Sequence, residues 1–245
     1  MPFDAAPQVC KTRCVLCPVS GACLIRGAAR EEIERWSASV EGQLSLATAG
    51  KTLFEAGAVA NAIYIVRAGC LKGFTVDEDG TERVRGFYLP GDFIGLDALG
   101  MTNYPATVVA VTPSQACRMP VSQVRRLMAE SPALMQRLLD RTSRELAQAL
   151  TLAGDYTAEQ RLAAFLLTMQ QRLGSESAVK LPMTRRDIGN YLRLATETVC
   201  RVLTRFESQG RIRSDSKTVR VVDDRALRAV AQPVAMPLEL RIAVG

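Results

Sequence analysis

Cysteine is the residue type whose number and spacing in this chain point most directly to chemistry. Four of the seven cysteines fall within residues 10–23, CKTRCVLCPVSGAC, and no histidine occurs in the 245 residues. Within that stretch, Cys14, Cys17 and Cys23 form a C-x2-C-x5-C pattern. Cysteine thiolates bind soft metals, form disulfides and undergo redox reactions. Four interpretations therefore compete for the segment: a disulfide knot, a zinc site, a thiol redox switch and an iron–sulfur cluster.

The expected cellular compartment argues against the disulfide knot. The first residues, Met-Pro-Phe-Asp, have neither the basic nor the apolar region of a secretory signal, and no apolar run is long enough to cross a bilayer. We therefore expect a cytoplasmic protein with no membrane partner, where reducing conditions disfavour structural disulfides. Zinc sites more often combine two C-x2-C pairs, and this chain has one such pair. Spacing alone leaves zinc, a thiol switch and a cluster open.

The positive charge of the chain is concentrated near its C-terminal end. The net charge is +6. The stretch from Lys180 to Arg228 holds twelve Lys and Arg against six Asp and Glu, so the charges of the remaining residues sum to zero. A basic cluster is typical of nucleic-acid binding, although a solvated surface can produce one as well. Without histidine no Ser–His or Cys–His nucleophile can form, and neither a phosphate-binding glycine loop nor a paired-carboxylate site is evident. The sequence predicts that the protein is not an enzyme.

The basic stretch has the pattern of a winged helix-turn-helix. Thr184 and Asp187 form an S/T-x-x-D/E start signal for a short helix that ends at Leu192. A tight turn at residues 193–194 leads to a second helix over residues 196–208, and RIRSDSKTVRVV is typical of a two-stranded ribbon. We expect the buried face of the second helix to consist of Val199, Val202, Leu203 and Phe206.

The opposite face of the second helix carries the candidate DNA contacts. The N-terminal end of this helix enters the major groove, where arginine binds guanine and glutamate accepts a hydrogen bond from cytosine. Glu197 and Arg201 are also spaced as an i,i+4 ion pair, and both roles are compatible. The base-reading candidates are Thr196, Glu197, Cys200 and Arg201. The candidates for phosphate contacts are Arg185, Arg186, Arg211, Arg213 and Lys217.

Two further regions precede the basic stretch. From Gly42 to Met119, short apolar runs alternate with glycine turns and include a hairpin signal at residues 79–80, which is typical of a small antiparallel barrel or sandwich. A helical pattern follows from Pro120 with one break near residues 131–132, and a heptad-like seam in it is suited to pairing with a second copy. The seam consists of Met135, Leu139, Thr142, Leu146, Ala149, Ala153 and Tyr156. The alternative is a helix that lies on its own barrel, a role that Leu134 and Leu138 could fill.

These patterns predict an α+β fold with an antiparallel β-roll, a long dimerisation helix and a C-terminal winged helix-turn-helix. We assign residues 1–30 to a cysteine-rich segment, 31–130 to the β-roll, 131–157 to the dimerisation helix and 158–245 to the DNA-binding domain.

This arrangement resembles the CRP/FNR family of transcription regulators over residues 10–228. The most similar stretches are AEQRLAAF, LPMTRRDIGNYLRLATETVCRVLTRF and GFYLPGDFIGLDALG, and they resemble the branch of the fumarate and nitrate reduction regulators, FNR. Cyclic-AMP receptors of this family hold the nucleotide phosphate with an Arg-Ser pair. The corresponding stretch here, GDFIGLDALGMTNYPATVVAV, has no arginine, so we predict that cyclic nucleotides are not ligands.

The resemblance implies a [4Fe–4S] cluster as cofactor, held by Cys14, Cys17, Cys23 and the isolated Cys117. Cys10 has an FNR counterpart that is not a ligand, and we expect Cys70 to be a small buried residue. The resemblance further implies a homodimer that binds a near-palindromic operator with TTGAT half-sites under low oxygen, with RNA polymerase as a further partner. The alternatives are a regulator of the same family gated by a thiol switch, by zinc or by a small ligand in the β-roll.

Two positions in the second helix depart from the FNR pattern. Cys200 stands where FNR has serine, and a thiol is the weaker hydrogen-bond donor. Ala195 stands where a hydroxyl-bearing residue would normally start the helix. The operator preference at the Cys200 contact is therefore open.

Overall fold

A computed structural model of the chain describes residues 14–152, 154–173, 179–215 and 218–232. The chain divides into two compact units, Met1–Leu139 and Asp140–Gly245. This boundary falls within one long helix, so the assignment of four functional segments stays a prediction. None of the described helices combines the length and the apolar character needed to cross a membrane.

The first unit begins with the residues that carry the cysteine pattern. Residues 14–27, called the cysteine segment below, form a 3-10 turn at Cys14–Leu16 followed by further turns. Helix α1, Arg30–Ser39, comes next, where the sequence pattern predicted only a polar end of the cysteine-rich region. The helix was missed because it has a narrow apolar face, in which Trp36 is buried and Ile33 is half-buried.

The β-roll consists of antiparallel strands in two four-stranded sheets, ordered β1-β8-β3-β6 and β2-β7-β4-β5. The predicted hairpin is confirmed, because β4 and β5 pair across a turn in which Gly80 has φ +80°. The strands are β1 Gly42–Leu46, β2 Thr52–Phe54, β3 Ala62–Ala68, β4 Leu71–Val76, β5 Glu82–Tyr88, β6 Phe93–Ile94, β7 Thr107–Ala110 and β8 Ser114–Pro120.

Two helices follow the roll and are separated at the predicted break. Helix α2 is Val121–Glu130 and helix α3 is Pro132–Leu152, with proline at the first helical position, where its missing N–H costs nothing. Leu134 and Leu138 are buried against the roll, as the alternative interpretation of the helix expected.

Helix α3 is shorter than the seam that was predicted for it. It ends at Leu152, so Tyr156 lies beyond the helix, and Ala153 lies outside the described residues. The guanidinium group of Arg161 holds the connection in this non-helical path. Its nitrogens donate to the carbonyl oxygens of Gly154 at 3.1 Å, Tyr156 at 3.0 Å and Leu192 at 3.1 Å.

The second unit is a helix-turn-helix with a ribbon. Its three strands form one sheet in the order β10-β11-β9. The two helices of the motif begin and end where the sequence predicted, whereas β9 and α7 were not anticipated. The elements are α4 Ala158–Leu173, β9 Val179–Lys180, α5 Arg185–Leu192, α6 Thr196–Ser208, β10 Ile212–Ser214, β11 Thr218–Val221 and α7 Asp224–Ala231. The predicted α+β class, with a β-roll and a C-terminal winged helix-turn-helix, is confirmed.

Candidate nucleic-acid interface and thiol centre

Local interactions set the start of α5 and its turn into α6. The Thr184 hydroxyl accepts from the Asp187 backbone N–H at 3.1 Å, and an Asp187 carboxylate oxygen accepts from the Thr184 N–H at 3.1 Å. This capping box satisfies two donors that a helix N-terminus leaves unpaired. Arg193 then ends α5 in the left-handed region with φ +57°. A Cβ on Gly189 would lie 2.7 Å from the Leu194 carbonyl oxygen, so the close turn requires glycine there.

Helix α6 is attached by one face and presents the other to solvent. The four residues predicted to be buried are all 5 % exposed or less: Val199, Val202, Leu203 and Phe206. On the opposite side, Glu197, Cys200 and Arg201 are exposed and Thr196 is half-buried. We call these last four residues the reading face. Among the ion pairs between described residues, none joins Glu197 to Arg201, so the surface-pair interpretation does not account for their position.

The N-terminus of α6 lacks the cap that α5 has. Ala195 occupies the N-cap position with extended backbone angles, φ −62° and ψ 147°, and no side-chain hydrogen bond caps the helix there. The orientation of α6 therefore depends on its buried face and on the turn before it. At its other end, a Glu207 carboxylate oxygen accepts from the Ser214 backbone N–H at 3.0 Å, which ties α6 to β10.

The arginines that were predicted to contact phosphate differ in exposure. Arg186 and Arg213 are exposed, whereas Arg185 and Arg211 are half-buried, and Lys217 lies outside the described residues. Arg185 Nη2 donates to the Asp215 carbonyl oxygen at 3.1 Å, and burial lowers the pKa of this guanidinium group. The guanidinium carbon of Arg211 lies 5.7 Å from the centre of the Phe206 ring. Arg185 thus links α5 to the wing, and Arg211 packs against Phe206 of α6.

The wing carries one further basic residue, Arg220, that the sequence pattern did not single out. Arg220 on β11 is exposed and lies directly opposite Arg213 on β10. Cross-strand partners share a face of the sheet, so the two guanidinium groups extend on the same side. The alternation of valine and polar residues in TVRV could have indicated it.

The cysteine segment brings three of the proposed ligands close to one another. Cys14, Cys17 and Cys23 are half-buried, and the Cys17 N–H donates to the Cys14 carbonyl oxygen at 3.2 Å. Burial is the main reason that the pKa of the Cys23 thiol is raised to about 11, and the nearby Cys14 and Cys17 contribute to this rise. The three cysteines are therefore neighbours within the cysteine segment.

Cys117 lies on the sheet face whose side chains border an apolar cavity shared with the cysteine segment. On β8 it is placed between Gln43 of β1 and Ile65 of β3, and cross-strand partners share a face. Ile65 lines a small apolar cavity together with Leu24, the residue after Cys23. The β8 register therefore turns the Cys117 side chain towards the segment rather than into the space between the sheets.

Gly91 of the roll and Ala22 of the cysteine segment lie in close contact. A Cβ on Gly91 would lie 2.5 Å from the Ala22 Cβ, and Gly91 itself has φ +92°. The Gly91 N–H donates to the Val66 carbonyl oxygen at 2.9 Å, next to Ile65. Residues that directly precede Cys23 thus rest beside the strand that pairs with Cys117.

The four cysteines agree with a four-thiolate donor set in residue type, but their side chains are not arranged as a metal site in the part of the chain that the structure describes. Within the described ranges, no three His, Cys, Asp or Glu side chains lie close enough together to hold a metal ion. Cys70 is 1 % exposed with its Sγ 3.7 Å from the Leu71 carbonyl oxygen, as expected for a small buried residue. Cys10 lies outside the described residues.

Comparisons with known proteins identify both units. A cyclic nucleotide-binding domain model matches residues 46–131, and a Crp-like helix-turn-helix domain model matches residues 160–230. Transcriptional activator protein FnrA of Stutzerimonas stutzeri is 34 % identical over 228 residues, which cover 90 % of this chain and 93 % of the relative. The fumarate and nitrate reduction regulatory protein of Escherichia coli K12 is 32 % identical over 229 residues, 91 % of each protein. The solved structure of FixK2 from Bradyrhizobium japonicum superposes with a TM-score of 0.71 at 28 % identity, over 77 % of this chain and 96 % of that one.

Proposed function

Because the chain belongs to the CRP/FNR family of transcription regulators, in its FNR branch, we propose that it activates or represses genes in response to oxygen. As a member of this family it is a DNA-binding regulator and not an enzyme. The finer proposal is that the protein senses oxygen through a [4Fe–4S] cluster and binds a palindromic operator as a dimer when oxygen is low. Its site of action is the cytoplasm, where the DNA is.

The observation that supports the sensing role is that Ile65, the cross-strand partner of Cys117, lines one apolar cavity with Leu24 of the cysteine segment. Cys14, Cys17, Cys23 and Cys117 would hold the cluster, which supplies an oxygen-labile group whose presence reports low oxygen. Thiols bind iron only after losing their protons, so Cys23, with its raised pKa, must release a proton on binding. Cys117, the fourth proposed ligand, lies on β8. A cluster bound by all four cysteines would therefore tie the cysteine segment, which consists of turns, to the β-roll.

The dimer is proposed on the exposed side of α3. Leu139 and Leu146 are 52 % and 61 % exposed, and Ala149 is exposed on the same helix, whereas Leu134 and Leu138 face the roll. A second copy of the chain is the partner whose matching apolar stripe would cover these residues. Two paired chains place two α6 helices on half-sites about one DNA turn apart, ~34 Å.

The reading face then supplies base contacts and the wing supplies phosphate contacts. Glu197 and Arg201 are the proposed readers of a TTGAT-like half-site, and Arg186, Arg213 and Arg220 are exposed for contacts with the backbone. RNA polymerase is the further partner that regulation of transcription requires.

The first experiment measures iron and acid-labile sulfide in protein purified without oxygen, with visible spectra before and after exposure to air. The expected result is about four iron and four sulfide per chain with absorbance that disappears in air. Operator binding and dimer content should fall together with that absorbance. Colourless protein, or zinc in place of iron, would contradict the cluster and leave the DNA-binding assignment intact.

A small-molecule-gated regulator is the second candidate, because residues 46–131 match a cyclic nucleotide-binding domain. Against it, the rings of Phe54 and Tyr104 stack at 3.8 Å, and Tyr64 lies 5.7 Å from Phe54, so aromatic side chains occupy the space between the sheets. The test is a thermal shift with cyclic AMP and cyclic GMP, for which we expect no change. A saturable shift would favour the small-molecule candidate.

A further inference from the structure

A chain of hydrogen bonds connects α1 to the first turn of α3. The Ser131 hydroxyl donates to a carboxylate oxygen of Glu32 on α1. The same hydroxyl oxygen accepts from the Leu134 backbone N–H at 3.2 Å, so it also caps α3. Ser131 is 8 % exposed, and the hydrogen bond from it is the main cause of the lowered pKa of Glu32. One buried hydroxyl therefore serves both the start of α3 and a carboxylate on another helix.

A second contact joins α3 directly to the cysteine segment. Arg137 Nη2 donates to the Gly27 carbonyl oxygen at 3.4 Å. Its Nη1 is buried, with no hydrogen-bond partner among the described residues. Gly27 is four residues after Cys23 and lies in a turn with φ +68°, where the Arg26 N–H donates to the Cys23 carbonyl oxygen at 3.0 Å. A shift of this turn would change the environment of a guanidinium group that water does not fully solvate.

Helix α1 lies between the two regions and contacts both. The Cys14 backbone N–H lies 3.4 Å from the Ser37 Oγ of α1, which accepts its hydrogen bond. The side chains of Glu32, Arg35, Glu130 and Arg137 meet around one small cleft with Trp36 and Leu134. One end of the cysteine segment is thus bonded to α1, the helix whose Glu32 contacts the Ser131 cap of α3, and the other end is bonded to Arg137 of α3 itself.

We propose that Glu32, Ser131 and Arg137 form a relay that transmits the state of the cysteine segment to the first turn of α3, and so controls the pairing of α3 with a second copy of the chain. The relay rests on the proposed function, because it needs a segment whose structure changes with oxygen. Charge-assisted hydrogen bonds are stronger than neutral ones, so a displaced Glu32 alters the Ser131 cap of α3, and a displaced Gly27 alters the hydrogen bond of Arg137. Leu139 and Leu146 follow within the next turns of that helix.

The test compares the dimer dissociation constant of full-length protein before and after air, by analytical ultracentrifugation, in four versions of the chain. Glu32→Ala removes the carboxylate but leaves the Ser131 cap of α3, and Ser131→Asp keeps a capping oxygen while placing a like charge beside Glu32. Glu31→Ala is the matched control, because Glu31 is exposed on the same helix. Iron content, visible spectrum and thermal unfolding are measured for each, so that loss of the cluster or of the fold is seen separately.

We expect wild type and Glu31→Ala to dimerise less tightly after air. Glu32→Ala and Ser131→Asp should bind the cluster normally. In both variants the change of the dimer dissociation constant on exposure to air should be about tenfold smaller than in the wild type, which is within the usual range of coupling between sites. A full response in both variants would overturn the relay and leave the proposed function standing. Variants that fold but fail to bind iron would overturn it too, since the residues would then hold the segment rather than transmit its state. If the wild type itself does not respond to air, the proposed function fails and the relay with it.

Discussion

Helix α6 and the cysteine segment both carry candidate functional side chains, but different kinds of contact hold the two regions in place. Residues 184–222 supply a capping box, a left-handed turn, a buried face and the wing that position α6, and α4 of the same unit adds an ion pair from Glu159 to Arg205. The cysteine segment consists of turns, and its position depends on Gly91, on α1 and on the register of β8. The position of α6 is therefore set within one unit by nearby elements, whereas the cysteine segment is held by parts of the chain that are distant in sequence.

The largest expected effect is on iron content, which should differ between variants of the two buried cysteines of the roll, Cys117 and Cys70. Cys117→Ala should abolish cluster binding, because the ligand that joins the segment to β8 is lost, while Cys70→Ala should retain about four iron per chain. Iron and sulfide analysis of anaerobic protein measures both. Equal iron content in the two variants would show that burial on the sheet face does not mark a ligand.

The next effect concerns the reading face. Arg201→Ala should weaken operator binding about 5- to 150-fold, which corresponds to the ~1–3 kcal/mol of a bidentate arginine–guanine contact. Binding to unrelated DNA should change little. Fluorescence anisotropy with operator and scrambled duplexes measures the ratio, with protein kept free of oxygen. An equal loss on both duplexes would assign Arg201 to phosphate rather than to bases.

The wing should show the opposite pattern. Arg213→Ala and Arg220→Ala should each weaken binding to all sequences by a similar factor and reduce the salt slope by about 1, because each removes one phosphate contact. The measurement is a salt titration of binding to the same two duplexes. A changed sequence preference with an unchanged slope would contradict the assignment of the wing to phosphate contacts.

The smallest effect tests how locally α5 and α6 are held. Thr184→Ala removes the capping box of α5 and should lower the free energy of unfolding by about 1 kcal/mol, whereas Ala195→Ser adds a cap to α6 and should raise it by up to about 1 kcal/mol. Thermal unfolding monitored by circular dichroism measures both changes. If Ala195→Ser brings no gain, Thr196 or the preceding turn already satisfies the start of α6.

Sequence patterns predicted the elements whose causes are local. The start of α5 at Thr184, the limits of α6, the hairpin around Gly80 and the break before Pro132 depend on neighbours a few residues apart. Helix α1 was missed because its contacts with the roll involve little more than Ile33 and Trp36. The end of α3 was misplaced because Arg161, not a local helix stop, holds the connection that follows.

By itself, the sequence determined which side chains carry chemistry and on which local elements they lie: the C-x2-C-x5-C pattern, the exposed face of α6 and the basic stretch. Capping, turn geometry and helical periodicity act over a few residues and can be recognised in any single chain. Only the tertiary structure decided that Cys117 lies on the sheet face that borders a cavity with Leu24, because this depends on the register of β8 between β1 and β3. Only it could bring Glu32 to Ser131, ninety-nine residues apart, because that contact depends on how α1 packs against α2 and α3.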